Sequence, residues 1–414
     1  MRIAYISSVF SGLETSLGSG RWSPTGVPTI YKCIEHLDKS DNEVEFHFLG
    51  ARTSKNTAQT VFGHFRELQI EGLTSRTFLF SDPTFASGFV GKVLLKFTEL
   101  HKIWASFSRL RIFDPHLVYF DRANVLLGAM FARFTSRKTV LRIMGIYPSM
   151  WEILEGKTFY NRLLCWAFSS PFDLVICTED GTDGSSWVKA ALPRAVKCRH
   201  LLNGISVGDY DDNPDVASNV VKKDKISILF VGRLEDIKGW REFVKAIQIL
   251  PCQYKRKLDI QIVGTGTGKE ELIDILKDQE LSQICHYTER VSHKDMHQLH
   301  LNADIYVSMN KLGNLSNANL ESYYAGLCSI VPASDPSSGA DISTDKIIPD
   351  NVLIRIDRDD LARSLSEVLA TLIENPNLIA SYKKEMKAFA PKFLKSWEER
   401  TSQEALLLEE IFKD

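Results

Sequence analysis

A chain of 414 residues is too long for a single hydrophobic core, so two α/β domains joined by a linker are expected. Hydrophobic residues at 44% and charged residues at 25% are ordinary for a globular protein. No apolar run approaches the ~18–20 residues of a spanning helix, and a net charge of −2 gives no footprint for nucleic acid. The charge is unevenly shared, because the first 205 residues hold 24 Lys/Arg against 18 Asp/Glu. A basic first half suggests an anionic surface or substrate on that side. The seven cysteines are scattered and never form CxxC. They predict reduced thiols in a cytoplasmic chain rather than a disulfide framework or a zinc site.

The opening RIAYISSV (2–9) reads as a first buried strand rather than a signal peptide, since no small-residue cleavage pattern follows. A glycine-rich stretch with Gly18, Gly20 and Gly26 then leads to Pro28, which suits a first helical turn. Further strands are expected at 43–50, 117–120, 139–145, 174–178 and 198–204. Between Ala51 and Asp114 the pattern is less clean. The polar segment 208–224 reads as a linker. A second alternation follows, with strands at 226–234, 258–266, 284–288, 303–309, 328–334 and 351–356 and helices between them. The last segment, FLKSWEERTSQEALLLEEIF, is amphipathic and stands outside that alternation.

Three motifs carry chemistry. In ILFVGRLEDIKGW a strand ends at Gly232, with Arg233 and Lys238 on either side of the following turn, where two cations can meet a diphosphate. The plain alternative is a surface salt-bridge pair with Glu235 and Asp236. In ADIYVSMNKLGNLSNANLESYYAGL a strand leads through a polar loop to a helix start near Ser316 and Asn317, an anion site, with Glu321 one turn on to accept from ribose hydroxyls. The alternative is an ordinary cap with a solvated glutamate. In IVGTGTGKEEL the glycines at 264, 266 and 268 lack dinucleotide spacing and read as a tight turn.

GRLxxxKG, LESYYAGLCSIV, FDLVICTED followed by LLNGI, and the late SW-containing helix occur in an order that resembles retaining glycosyltransferases of family 4. The resemblance implies the GT-B architecture, two Rossmann-like domains with parallel sheets facing a central cleft. It implies an N-terminal acceptor-side domain over 1–207, with 391–414 packing back on it, and a nucleotide-sugar-binding domain over 225–390. Arg233 and Lys238 would hold the donor diphosphate and Glu321 the ribose. Gly26, Gly232, Arg290, Val291, Asn314, Ser316 and Asn317 would complete the donor site, and Asn203–Gly204 matches the turn before the linker. Two positions depart from the family pattern. The first acid of its E-x7-E motif is Gly313 here, which leaves its contact to Asn314 or Asn317. The first-domain histidine is replaced by Met144 before Gly145, with Arg142 nearby as a sugar-facing or acceptor-side alternative.

The implied activity is transfer of a hexosyl group, with retention, from a nucleotide diphosphate sugar to a glycan or lipid-linked acceptor in bacterial surface polysaccharide synthesis. No metal or other cofactor is expected. Alternatives are a sugar-nucleotide epimerase of the same architecture and a non-catalytic sugar-nucleotide-binding protein. Residues 89–112 interleave basic and aromatic residues, a pattern for peripheral contact with the cytoplasmic membrane face or for a core-packed helix.

Overall fold

A computed structural model describes residues 1–52, 64–82, 89–206 and 225–413; the 208–224 linker lies outside the described residues. The chain forms two compact units. One comprises Met1–Thr178, Gly184–Leu201 and Glu398–Asp414, and the other Glu179–Asp183 and Leu202–Trp397. The second unit thus takes a five-residue piece from the end of a first-unit strand, which no composition shift announces.

The first unit is built on an eight-stranded sheet: β1 (Arg2–Ser8), β2 (Glu43–Arg52), β3 (His64–Leu68), β4 (Arg76–Asp82), β5 (Leu117–Asp121), β6 (Lys138–Ile143), β7 (Leu174–Glu179) and β8 (Lys197–Leu202), ordered β3-β4-β2-β1-β5-β6-β7-β8. The β3–β4 pair is antiparallel, while β1, β2, β4, β5, β6 and β7 pair in parallel. β3 and β4 fall in the unclear stretch after Ala51. HFREL of β3 is mostly exposed, so it shows no apolar run to read. Helices α1 (Ser11–Ser19) and α2 (Pro28–Asp38) follow β1. α1 occupies part of the glycine-rich stretch before Pro28; Gly20 ends it in the left-handed conformation (φ +69°).

The remaining first-unit helices are α3 (Phe89–Phe113), α4 (Val125–Phe134), α5 (Pro148–Glu155), α6 (Phe159–Phe168) and α7 (Gly184–Ala191). Side chains from these helices join Val118, Leu141 and Val175 in one core layer. Leu13, Ile30, Ile34 and Leu408 join Tyr5, Tyr119 and Ile176 in the other. Burial on both faces explains why these strands read as continuous apolar runs.

The second unit has a six-stranded, wholly parallel sheet: β9 (Ile226–Val231), β10 (Leu258–Val263), β11 (Cys285–Thr288), β12 (Ile305–Val307), β13 (Cys328–Pro332) and β14 (Ile354–Ile356), ordered β11-β10-β9-β12-β13-β14. Helices α8 (Trp240–Ile249), α9 (Lys269–Ile275), α10 (His293–Asn302), α11 (Asn317–Tyr324), α12 (Leu361–Glu374) and α13 (Pro376–Phe389) surround it. The final helix α14 (Trp397–Lys413) begins in the second unit and runs into the first. Strand order reverses between β9 and β12. In open parallel sheets, such a switch point leaves a crevice at the carboxyl ends of the strands, where ligands bind.

All seven cysteines are free. Among the described residues no helix is long and apolar enough to cross a membrane, and no cluster of His, Cys, Asp or Glu has the makings of a metal site.

Candidate functional site at the switch point of the second sheet

The turn carrying Arg233 and Lys238 leaves β9, and the loop ending at α11 leaves β12, so both motifs hang from the two strands that flank the switch point. Backbone contacts join them. Lys311 N donates to Ile237 O at 2.9 Å. Gly239 (φ +65°) lies so close to Met309 that a Cβ there would stand 2.3 Å from Met309 O. Only glycine meets both demands.

The glycines of IVGTGTG act in the same structure. A Cβ on Gly264 would sit 1.8 Å from Gly232 O, and one on Gly266 2.8 Å from Leu234 N. Leu234 N donates to Thr265 O at 3.0 Å, and Gly268 N to Leu234 O at 2.9 Å. The run is a buttress that lets the β10 loop lie flush against the Arg233 turn. Gly232 itself has space beside it, since a Cβ there would meet nothing closer than 3.8 Å.

The surface salt-bridge alternative for Arg233 and Lys238 does not hold. Asp236 pairs with Arg241 (3.5 Å) and Lys311 (3.2 Å), while Glu235 Oε2 accepts from Thr267 Oγ1 at 3.2 Å. Among the described residues, Arg233 and Lys238 form no ion pair. Arg233 is exposed and Lys238 half-buried. Loss of water pushes the Lys238 ammonium below its ordinary pKa, and the nearby Arg233 charge pushes it further. Asp180, from the five-residue insertion, opposes that shift. Two like charges held together, one of them partly dehydrated, favour an anion between them.

Ser316 begins α11 without a side-chain cap; its hydroxyl donates instead to Asn319 Oδ1 at 2.8 Å. Asn317 Oδ1 accepts from Asn203 Nδ2 at 2.7 Å. The first helical amides lack acceptors within their own helix, which gives this end its partial positive charge. Glu321 is half-buried one turn on, near enough to Tyr306 that its charge helps raise the phenol's pKa, behind burial itself and Tyr323.

Asn314 does not occupy the donor-facing place expected of it. It is fully buried; its backbone N–H and Nδ2 donate to the two Asp341 oxygens at 2.8 Å each, and its Oδ1 accepts from Ser308 Oγ at 2.9 Å. These bonds fix the loop ahead of α11. Asp341 is held in the left-handed conformation (φ +55°), and burial raises its carboxyl to about 6. Arg290 is exposed at the end of edge strand β11, and Val291 packs against the small cluster around Tyr306.

In the first unit, Gly26 (φ +100°) precedes α2, and Gly145 (φ +92°) is buried just past β6. Met144 packs against the core layer containing Tyr5. The sugar-facing expectation for Arg142 is corrected. Its side chain is 1% exposed, with Nη1 paired to Glu404 at 3.2 Å and Nη2 donating to Thr178 Oγ1 at 2.9 Å. It is a core charge bound to α14 and faces no sugar. Gly204 serves α14 as well, since a Cβ there would meet Trp397 Cα at 2.6 Å.

Residues 211–389 match the family described as glycosyl transferases group 1. An uncharacterized glycosyltransferase of Methanocaldococcus jannaschii is 27% identical over 305 residues, covering 70% of this chain and 74% of the relative. The fold is similar to that of sucrose-phosphate synthase from Thermosynechococcus elongatus (TM-score 0.70, 16% identity, 100% and 99% of the two chains). It is also similar to that of Anabaena HepE, solved with UDP (TM-score 0.67, 14% identity, 99% and 100%). Residues 211–389 of the second unit thus match the glycosyl transferases group 1 family, and the relative and the shared fold support a glycosyltransferase of the GT-B type.

Proposed function

We propose that the chain transfers a hexosyl group, with retention of configuration, from a nucleoside diphosphate sugar to a hydroxyl of a glycan or lipid-linked acceptor in surface polysaccharide synthesis. The observation that carries the donor reading is the cation pair at the switch point, which has no carboxylate among the described residues bonded to it, while the neighbouring Arg241 and Lys311 are both paired. Bond formation between the acceptor oxygen and C1 accompanies cleavage of the bond from C1 to the diphosphate oxygen. The acceptor's proton leaves with the diphosphate. Negative charge grows on that leaving group, where Arg233, Lys238 and the start of α11 stabilise it. These groups do the work a divalent cation would do, so the reading is metal-independent. Glu321 is assigned to the ribose hydroxyls. The test is incubation with a panel of sugar nucleotides and glycan acceptors in EDTA: acceptor-dependent release of nucleoside diphosphate, with the donor's anomeric configuration kept in the product, supports it. Turnover of donor without acceptor indicates an epimerase instead.

A lipid-side acceptor is favoured by α3. Phe97, Leu100 and Trp104 are 57%, 63% and 65% exposed along one face, while Phe107, further along the same stripe, stacks on Phe131 at 4.1 Å. The aromatic stripe is thus only partly core. The basic part of the pattern is largely spent inside the protein, with Lys102 bonded to Asp82 and Glu99 and Arg109 to Glu45. The side chains of Lys92 and Lys96 lie outside the described residues. Contact would then be chiefly apolar, and Trp104→Ala is expected to weaken co-sedimentation with lipid vesicles. Equal sedimentation of variant and wild type would remove the lipid contact from the proposal.

A further inference from the structure

Residue 313 has no room for a side chain. A Cβ there would stand 2.5 Å from Asp180 O, 2.7 Å from Gly181 C and 2.8 Å from Thr182 N. The reverse face is equally tight, because a Cβ on Gly181 (φ +94°) would lie 2.5 Å from Asp341 Oδ1 and 2.6 Å from Asn314 N. Leu315 N donates to Asp180 O at 3.1 Å. The Glu179–Asp183 segment is therefore seated on the loop between β12 and α11, and of its three acids Asp180 is the one whose backbone meets that loop at Gly313 and Leu315.

The Asp180 carboxylate is oriented. Thr182 donates to Asp180 Oδ1 from its backbone N–H at 3.1 Å and from its hydroxyl at 2.5 Å. Asp180 is half-buried and shares an electrostatic neighbourhood with Lys238. Resting on the donor-site reading above, we propose that Asp180 is a substrate-binding acid of the donor site, accepting hydrogen bonds from hydroxyls of the sugar being transferred. A carboxylate repels the phosphates that Arg233 and Lys238 attract, so its place in the same site suits the uncharged, hydroxyl-bearing part of the donor joined directly to the diphosphate. Charge-assisted bonds from hydroxyls to an oriented carboxylate are strong enough to select a sugar. Loss of water raises the acid's pKa, while Thr182 and then Lys238 pull it back, as befits a charge kept for a ligand. The chain has thus moved the acid of this loop onto a different segment, and Gly313 is the space that segment needs.

The test separates sugar from nucleotide. UDP and UDP-glucose are titrated calorimetrically into the full chain, its Asp180→Asn variant and its Arg233→Ala variant. The amide introduced by Asp180→Asn keeps a carbonyl oxygen for Thr182, so the fold is retained, and an unchanged melting temperature checks this. The inference expects Asp180→Asn to bind UDP within about twofold of wild type and UDP-glucose about 10- to 100-fold more weakly. Gly313→Ala, which drives a methyl against Asp180 O, should show the same selective loss. Equal weakening of both ligands would make Asp180 a support for Lys238, and no change in either would make it a bystander; both results overturn the inference alone. If wild type binds neither ligand, or Arg233→Ala binds UDP as wild type does, the donor-site reading itself fails and the inference falls with it.

Discussion

Two sets of cations set the two units apart. In the first, Arg142 and Arg400 both bond Glu404, with Tyr119 donating to the same carboxylate, and all four side chains are buried between β5, β6 and α14. In the second, Arg233 and Lys238 stand at a strand end with no carboxylate among the described residues bonded to either, although Asp236 is a near neighbour in sequence. A cation whose countercharge is built in serves the fold; one whose countercharge is missing waits for a ligand. The sequence shows Arg142, like Arg233, as a basic residue near a strand end. What distinguishes them is where the acids go, and for Arg142 that is decided by a residue 262 positions away.

The comparison can be broken most severely at Glu404. Glu404→Ala removes the carboxylate shared by two buried guanidinium groups and is expected to cost about 3–5 kcal/mol in urea denaturation. Loss of less than about 1 kcal/mol would show that the cluster is solvated and that Arg142 is no core charge. Gly239→Ala comes next. It forces a Cβ into the left-handed region and against Met309 O, at an expected cost of about 2–4 kcal/mol, and it should weaken UDP binding by displacing the Lys238 turn.

Asp341 sharpens the contrast through pH. Its folded pKa of about 6 lies above the ordinary 3.8. The stability linked to its proton is therefore fully present below about pH 4 and is lost as pH rises through 6, by about 3 kcal/mol at most. Asp341→Asn lacks this titration, so its stability relative to wild type should climb between pH 4 and 6 and level off above. A flat difference across that range would contradict the assignment. The smallest effect is expected at the exposed Arg363–Glu367 pair on α12, where Glu367→Ala should change stability by less than about 0.5 kcal/mol.

The repeated strand–helix alternation is legible in the sequence because both sheets are buried on both faces, which leaves continuous apolar runs. The Arg233 turn is legible for a local reason: strand, glycine, cation and cation follow one another in the chain. β3 is not, because its side chains are mostly exposed. Arg142 misleads because its partner sits on α14, and Asn314 because the Asp341 that consumes its hydrogen bonds lies 27 residues on. Asp180 has a visible signal in the acid pair that closes FDLVICTED. Its meaning depends on a contact with Gly313 that only the folded chain supplies.

The central claim is that Arg233 and Lys238 grip the diphosphate of the donor. Calorimetric titration of UDP into wild type, Arg233→Ala and Lys238→Ala tests it directly. Each variant should lose about 10- to 100-fold in affinity while melting within a degree or two of wild type, since neither cation is bonded to an acid among the described residues. UDP affinity unchanged in both variants would contradict the account.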